Sequence, residues 1–171
     1  MLIAMAGLPG SGKSTLAAAI GAELRLPVVS VDPIEAAILR AGIDAGQPTG
    51  LAAYLVAEAA VEPILASGGL GVVLDAVNAV GPARDQWVGL AERQGRGLRF
   101  LEVHCSDPDL HRERLEARRR LSPPAAVHAV EESLDEWAEW DGAAAGAPRL
   151  RLDSVHPLPV LLEQSLAFLR A

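Results

Sequence analysis

The chain is 171 residues long, half of them apolar but only 4% aromatic, and it carries a formal charge of −7. That length fits one domain, residues 1–171, with a core of Ala, Val, Leu and Ile, and the acidic balance disfavours a long nucleic acid as partner. No apolar run approaches the length needed to cross a membrane, and the single cysteine, Cys105, gives neither a disulfide framework nor a cysteine metal cluster. No basic leader precedes a removable apolar stretch, so a cytoplasmic protein, monomeric or weakly dimeric, is expected.

Leu2–Ala6 is a short apolar run that predicts a buried strand. It leads straight into Gly7-Leu8-Pro9-Gly10-Ser11-Gly12-Lys13-Ser14-Thr15. From Thr15 to Leu24 a helix is predicted, with Leu16, Ala19, Ile20 and Leu24 on one stripe. The stretch matches G-x-x-x-x-G-K-[ST], a phosphate-binding loop, in the strand–loop–helix setting that the motif requires. Its glycines let successive backbone N–H groups converge on a β-phosphate, and Lys13 reaches the β- and γ-oxygens as a compact charge. Ser14 offers a hydroxyl to Mg²⁺, and the helix turns its positive end to the anion. Lys13 is the one lysine beside fourteen arginines, so a compact ammonium stands where a planar guanidinium would not serve. A nucleoside triphosphate with Mg²⁺ is the expected ligand.

Further strands are predicted at Pro27–Val31, Gly71–Asp75, Leu98–Cys105 and Leu150–Asp153. Helices are predicted at about 33–42, 50–67, 82–95, 107–120, 126–139 and 157–170. Pro33, Pro82, Pro108 and Pro157 each sit at a first helical turn, and Asp32 and Asp107 are suited to cap. Arg119–Pro124 and Gly142–Pro148 look like mobile loops. The alternation argues for a parallel sheet with helices on both faces, whose ligands collect at the carboxyl ends of the strands. That rule selects Asp32 after the second strand, Asp75 and Asn78 after the third, and Cys105-Ser106-Asp107 after the fourth. Asp32 is either a catalytic base that takes the proton of an attacking alcohol or a plain helix cap. Asp75 is a metal-side carboxylate or a turn residue, and Arg84 a substrate contact or a solvated helix residue. Trp87, Leu90, Leu134 and Trp137 fit a packed core, whereas Trp140 could border a base.

Residues 107–120 have an acidic start and a basic end. Asp109 and Glu116 can pair with Arg112, Arg119 and Arg120, but Arg114 and Arg118, four apart, have no acidic neighbour at three or four residues. Like charges so placed destabilise a helix by about 0.2–0.5 kcal/mol. A phosphate chain between them would reverse the sign, so both are expected to be catalytic, on a lid at about 112–125 that excludes water.

On GLPGSGKST, SVDPIEAAILRAGI, VVLDAVN with Arg84 following, and HCSD–HRERLEARR, the sequence resembles a known family over nearly its whole length. It is similar to small P-loop kinases and kinase-like ATPases near gluconate kinase, zeta toxins, chloramphenicol phosphotransferase and the kinase domain of polynucleotide kinase. More closely, it resembles ATP-binding proteins of the AAA-33 type. The resemblance implies a three-layer α/β/α P-loop NTPase fold with a five-stranded parallel sheet in the order 2-3-1-4-5. It implies ATP and Mg²⁺, with Lys13 and Ser14 at phosphate and metal, Asp32 as base, Asp75 on the metal side and Arg114 and Arg118 as lid arginines. Polynucleotide-kinase-like members carry an arginine three residues after the base, and here that position is Glu35. A 5′-hydroxyl nucleic acid is therefore disfavoured, and a small neutral or cationic hydroxylated acceptor is expected near Asp32, Glu35, Asn78 and Arg84. Two activities stay open: an ATP:alcohol phosphotransferase, and an ATP-hydrolysing regulatory switch that phosphorylates no small molecule.

Overall fold

The computed structural model describes residues 1–121 and 137–171, without the side chains of Arg119 and Leu121. Its strands are β1 Leu2–Ala6, β2 Val28–Ser30, β3 Val72–Asp75, β4 Leu98–His104 and β5 Arg149–Asp153. They form one parallel sheet in the order β2-β3-β1-β4-β5, which agrees with the resemblance. The central strand β1 is buried at every position, so it can be apolar throughout: a parallel strand covered on both faces has no polar side. Its alternation divides the core. Leu2 and Ala4 pack with Val72, Leu74 and Phe100 on one face, and Ile3 and Met5 with Val73, Leu101 and Val103 on the other.

Six helices lie among the described residues: α1 Lys13–Leu24, α2 Val31–Arg40, α3 Thr49–Ala66, α4 Gly81–Arg93, α5 Pro108–Leu121 and α6 Leu158–Arg170. Ala53, Ala57, Val61 and Leu65 of α3 recur every four residues and bury one stripe in the first core layer. This helix has 18 residues and a mean hydropathy of 1.3. By length and composition it could cross a membrane, against the expectation that no segment approaches this.

Strand ends are level where they matter. Ser30 stands opposite Asp75, and His104 opposite Asp153, so the carboxyl ends of both strand pairs flank the loop that follows β1. Several local expectations change. Helix α2 starts at Val31 with Ser30 as its cap residue, so Asp32 belongs to the first turn, where the helix's positive end favours it. Asp107 does cap α5, its Oδ1 accepting from the N–H groups of Asp109 (2.9 Å) and Leu110 (3.0 Å). Residues 119–121 continue α5 and Gly142–Gly146 form a 3-10 turn rather than open loops. The helix expected at 126–139 falls mostly outside the described residues, as does Leu134, and Trp137–Glu139 are not helical.

Arg84 and Asn78, both expected at an acceptor, belong instead to the interior. Arg84 is fully buried. Its Nε donates to the Asn78 carbonyl (2.8 Å), Nη1 to that of Glu139 (2.8 Å), and Nη2 to those of Ala79 (2.7 Å) and Ala138 (3.0 Å). The guanidinium also lies 4.9 and 4.2 Å from the ring centroids of Trp137 and Trp140. Asn78 has φ 49°, a left-handed conformation that Asn tolerates better than most side chains. Its Nδ2 donates to the Met5 carbonyl (2.7 Å) and its Oδ1 accepts from Trp87 Nε1 (2.9 Å). Every polar atom of the pair faces protein. Arg84→Ala should therefore lower the free energy of unfolding by at least about 3 kcal/mol, because four carbonyls lose a donor. Arg84→Lys should recover little, since an ammonium cannot span that planar set. Urea denaturation reads both outcomes.

Candidate active site

The loop between β1 and α1 is shaped by glycines. Gly7 has φ 149°, and a Cβ there would collide with the Val103 carbonyl oxygen on β4, so only glycine lets the loop leave the sheet so closely. Gly12 precedes α1 in a left-handed conformation, φ 92°, open to glycine at no steric cost. The first N–H groups of α1, at Lys13, Ser14 and Thr15, have no acceptor within the helix. They form an anion-binding terminus.

Lys13 is only 2% exposed. Among the described residues its ammonium has no hydrogen-bond acceptor and no carboxylate within ion-pair distance. Burial lowers its pKa, while the charges of Asp32 and Asp75 pull it back up and Arg118 lowers it further. Both carboxylates are thus felt at the ammonium without touching it. Asp75, 6% exposed, accepts from Ser30 Oγ at 3.2 Å through Oδ2, and its buried Oδ1 has no partner among the described residues. An orphaned carboxylate oxygen beside a phosphate loop fits a hard cation such as Mg²⁺, which prefers oxygen ligands and keeps several waters. Asp75 and the Ser14 hydroxyl are the residues that would hold it.

A cavity of about 330 Å³ opens from this loop, lined by Gly10, Gly12, Lys13, Ser14, Thr15, Arg114, Arg118, Ser154, His156, Leu158 and Leu161. Leu8 lies on the opposite side, where it, Gly7 and Ser11 line a second cavity of about 200 Å³ with the end of β4. Helix α5 reaches the loop along one face, through His111, Arg114 and Arg118 at i, i+3 and i+7. His111 Nε2 lies 2.7 Å from the Pro9 carbonyl oxygen; a carbonyl only accepts, so Nε2 carries the proton. Arg114 Nη1 and Nη2 donate to Ser154 Oγ (2.7 Å) and to the Ser154 carbonyl (3.0 Å). Arg118 Nη2 donates to Asp32 Oδ2 at 2.5 Å, with about a third of each side chain exposed. Arg118 thus has an acidic partner, whereas Arg114 is held by neutral oxygens alone.

Ser154 and His156 follow β5, a strand end that the sequence reading passed over; extending the strand-end rule to the fifth strand would have found them. Asp153 anchors that turn. Burial pushes its carboxyl up, but hydrogen bonds from Ser106 and Val155, with His104 beside it, hold it down at about 2.

Asp32 and Glu35 stand one turn apart on α2, which packs against α3. Thr49 Oγ1 donates to Glu35 Oε1 at 2.9 Å. The Tyr54 phenol oxygen accepts from the Asn78 N–H at 3.0 Å. Burial first, and then the charges of Asp32, Glu35 and Asp75, raise its pKa to about 12, against a lowering by that hydrogen bond. Nothing in the sequence pattern marked Tyr54, because its role depends on three carboxylates from two other elements.

Fold and loop together define a P-loop NTPase. Residues 2–140 match the AAA_33 family, described as an AAA domain, and the chain belongs to that family. No functionally curated protein matches the sequence significantly. Among solved structures, Kti12 of Chaetomium thermophilum in complex with ADP-AlF3 is similar over 98% of both chains, with 20% identity and a TM-score of 0.74. The APS kinase CysC of Mycobacterium tuberculosis, in complex with AMPPNP and APS, matches over 99% of this chain and 97% of its own, with 16% identity and a TM-score of 0.70. A gluconokinase from Sinorhizobium meliloti 1021 matches over 98% of this chain and 90% of its own, at 22% identity and a TM-score of 0.65. These likenesses are in fold.

Tyr54 is the chain's single tyrosine, so tyrosinate absorbance reads it alone. In the folded protein that titration should centre near pH 12, against about 10 in the unfolded chain. Because the folded value is the higher, the associated stability is complete below pH 10 and falls by about 2–3 kcal/mol as the pH rises to 12. Tyr54→Phe should remove that slope from pH-dependent denaturation curves.

Proposed function

We propose that the chain is an ATP-dependent phosphotransferase that moves the γ-phosphate to a hydroxyl of a small molecule. The observation that carries the reading is a convergence at one end of the nucleotide-sized cavity. Lys13, 2% exposed and with no acceptor for its ammonium among the described residues, lines that cavity together with Arg118, whose guanidinium is bonded to Asp32. The similarity in fold to structures described as kinases supports the same reading.

In this reading the backbone N–H groups at the start of α1 and the Lys13 ammonium hold the β- and γ-phosphates. Arg114 and Arg118, both at the cavity wall, add positive charge where it builds up during transfer. His111, held on the Pro9 carbonyl, keeps α5 seated on the loop and so excludes water from it. Asp32 accepts the proton of the attacking hydroxyl. Mg²⁺, when bound, neutralises charge between the β- and γ-phosphates. Residues 1–171 act as one domain, and α5 is the described part of a lid over about 112–125.

The bound base would lie toward Ser154, His156, Leu158 and Leu161, beyond the phosphates. Asp153, the carboxylate next to this turn, is already held by the N–H groups of Ser106 and Val155. Both bonds fall on its Oδ1, which fixes the turn that carries Ser154 and His156.

Asp32→Asn should cut γ-phosphate transfer from labelled ATP by about 10²–10⁴-fold, while ATP affinity by calorimetry stays within a few-fold. Lys13→Ala should abolish both. Transfer retained in Asp32→Asn would remove Asp32 from the mechanism. Label that appears only as free phosphate, at a rate raised by a protein partner, would instead establish the regulatory ATPase.

A further inference from the structure

We propose that the acceptor is a hydroxylated amine: an alcohol whose protonated nitrogen is received by Glu35, one turn of α2 from Asp32. This rests on the phosphotransferase reading and names the chemical class of its second substrate.

The charges of three carboxylates, Asp32, Glu35 and Asp75, oppose ionisation of the Tyr54 phenol. They differ in what already holds them. Asp32 is paired with Arg118 at 2.5 Å. Asp75 is buried, with its orphaned Oδ1 suited to the metal. Glu35 has neither role. Its Oε1 is fixed by the Thr49 hydroxyl at 2.9 Å, and Thr49 is itself 6% exposed at the start of α3. No cation among the described side chains lies within ion-pair distance of Glu35. A carboxylate pinned in place by a buried hydroxyl, and with no counter-ion among the described side chains, is suited to receive one from outside. Because the metal site draws on Asp75 and Ser14, it leaves the charge of Glu35 unneutralised.

The described cations nearest the phosphate loop are engaged elsewhere, Arg118 by Asp32. Lys13 faces the phosphates, Arg114 is tied to Ser154, and Arg84 lies inside a cage of four carbonyls. Residues 122–136 contain no Lys or Arg in their sequence, only Glu131, Glu132, Asp135 and Glu136 among formally charged side chains. A carboxylate or phosphate on the acceptor would therefore meet like charge. Residues three apart on a helix have Cβ atoms about 5–6 Å apart. Hydroxyl and ammonium should accordingly lie a few bonds from each other, as in amino sugars and short amino alcohols.

The transfer step balances without another reactant. A lone pair of the acceptor oxygen forms the bond to Pγ, and the bond from Pγ to the bridging oxygen breaks with its electron pair leaving on ADP. The hydroxyl proton goes to Asp32. The ammonium stays protonated throughout, held by Glu35.

The test offers enzyme and γ-labelled ATP three fractions of a microbial metabolite extract: retained on cation exchanger at neutral pH, retained on anion exchanger, and unretained. Glucosamine, N-acetylglucosamine and gluconate serve as defined probes of each charge. Label should enter the cation-retained fraction, and glucosamine should outperform the other two probes. Glu35→Gln should lower kcat/KM for the amine at least tenfold, chiefly through KM, and should erase its advantage over the N-acetyl compound. Label in the anion-retained or unretained fraction, or an amine preference that survives Glu35→Gln, overturns the inference and leaves the phosphotransferase standing. Lys13-dependent hydrolysis with no labelled acceptor from any fraction overturns the phosphotransferase reading, and the inference with it.

Discussion

Lys13, 2% exposed and with no acceptor for its ammonium among the described residues, is the constraint around which the site is arranged. Moving an unpaired charge out of water costs several kcal/mol, and the position beside a helix N-terminus adds repulsion from the dipole. Two carboxylates at a short remove, Asp32 and Asp75, offset part of that cost. An anion in the loop would offset the remainder. Such a cradle has to be held rigid while it is strained, and the glycines at 7 and 12 permit the backbone shape that does so. Helix α5 closes the same cradle from above through His111.

Placement of the second carboxylate depends on a part of the molecule far from the phosphate loop. Asp75 ends β3, and the chain must turn at once to reach α4. That turn is fixed by Arg84, which gathers the carbonyls of Asn78 and Ala79 from one side and of Ala138 and Glu139 from the other. Asn78 locks the turn to β1 through the Met5 carbonyl, and Gly7 N–H bonds to the Val77 carbonyl at 2.9 Å. A buried arginine thus ties the end of β3, the phosphate loop and the segment before β5 into one body. Its charge is satisfied by carbonyl dipoles and two indole faces rather than by an acid, an arrangement that is strong only while every acceptor is present.

This division explains what the sequence made legible. The five parallel strands and their order followed from apolar runs, a local loop motif and a family resemblance, all of which survive without knowledge of tertiary contacts. Asp32, Asp75, Arg114 and Arg118 were singled out because strand ends and helix spacing are local as well. Arg84 and Asn78 were misplaced for the opposite reason: a polar residue after a strand looks solvent-facing until partners some 55 positions away are known. Tyr54 and Ser154 escaped notice because a lone hydroxyl acquires meaning only from the charges folded around it. The start of α2 was shifted because Asp-Pro resembles a cap, yet Ser30 already stands at the strand end with extended backbone and takes the cap position.

Arg118 joins the two halves of the site. It lines the nucleotide cavity, yet its guanidinium is bonded to Asp32. Both side chains are about one-third exposed, so the pair is worth no more than about 1 kcal/mol against solvent screening. A triphosphate tail presents several formal negative charges where Asp32 presents one, and an arginine within reach of both favours the denser charge. On the proposed function, nucleotide entry would therefore draw Arg118 off the carboxylate. Asp32 would lose its counter-ion at the moment a base is needed, and the charge left on α2 would be unopposed on the side where Glu35 already faces the acceptor. The same local field that makes a free carboxylate a better proton acceptor also makes that side of the cleft hostile to anions. Activation of the base and selection of the acceptor would then arise from one rearrangement.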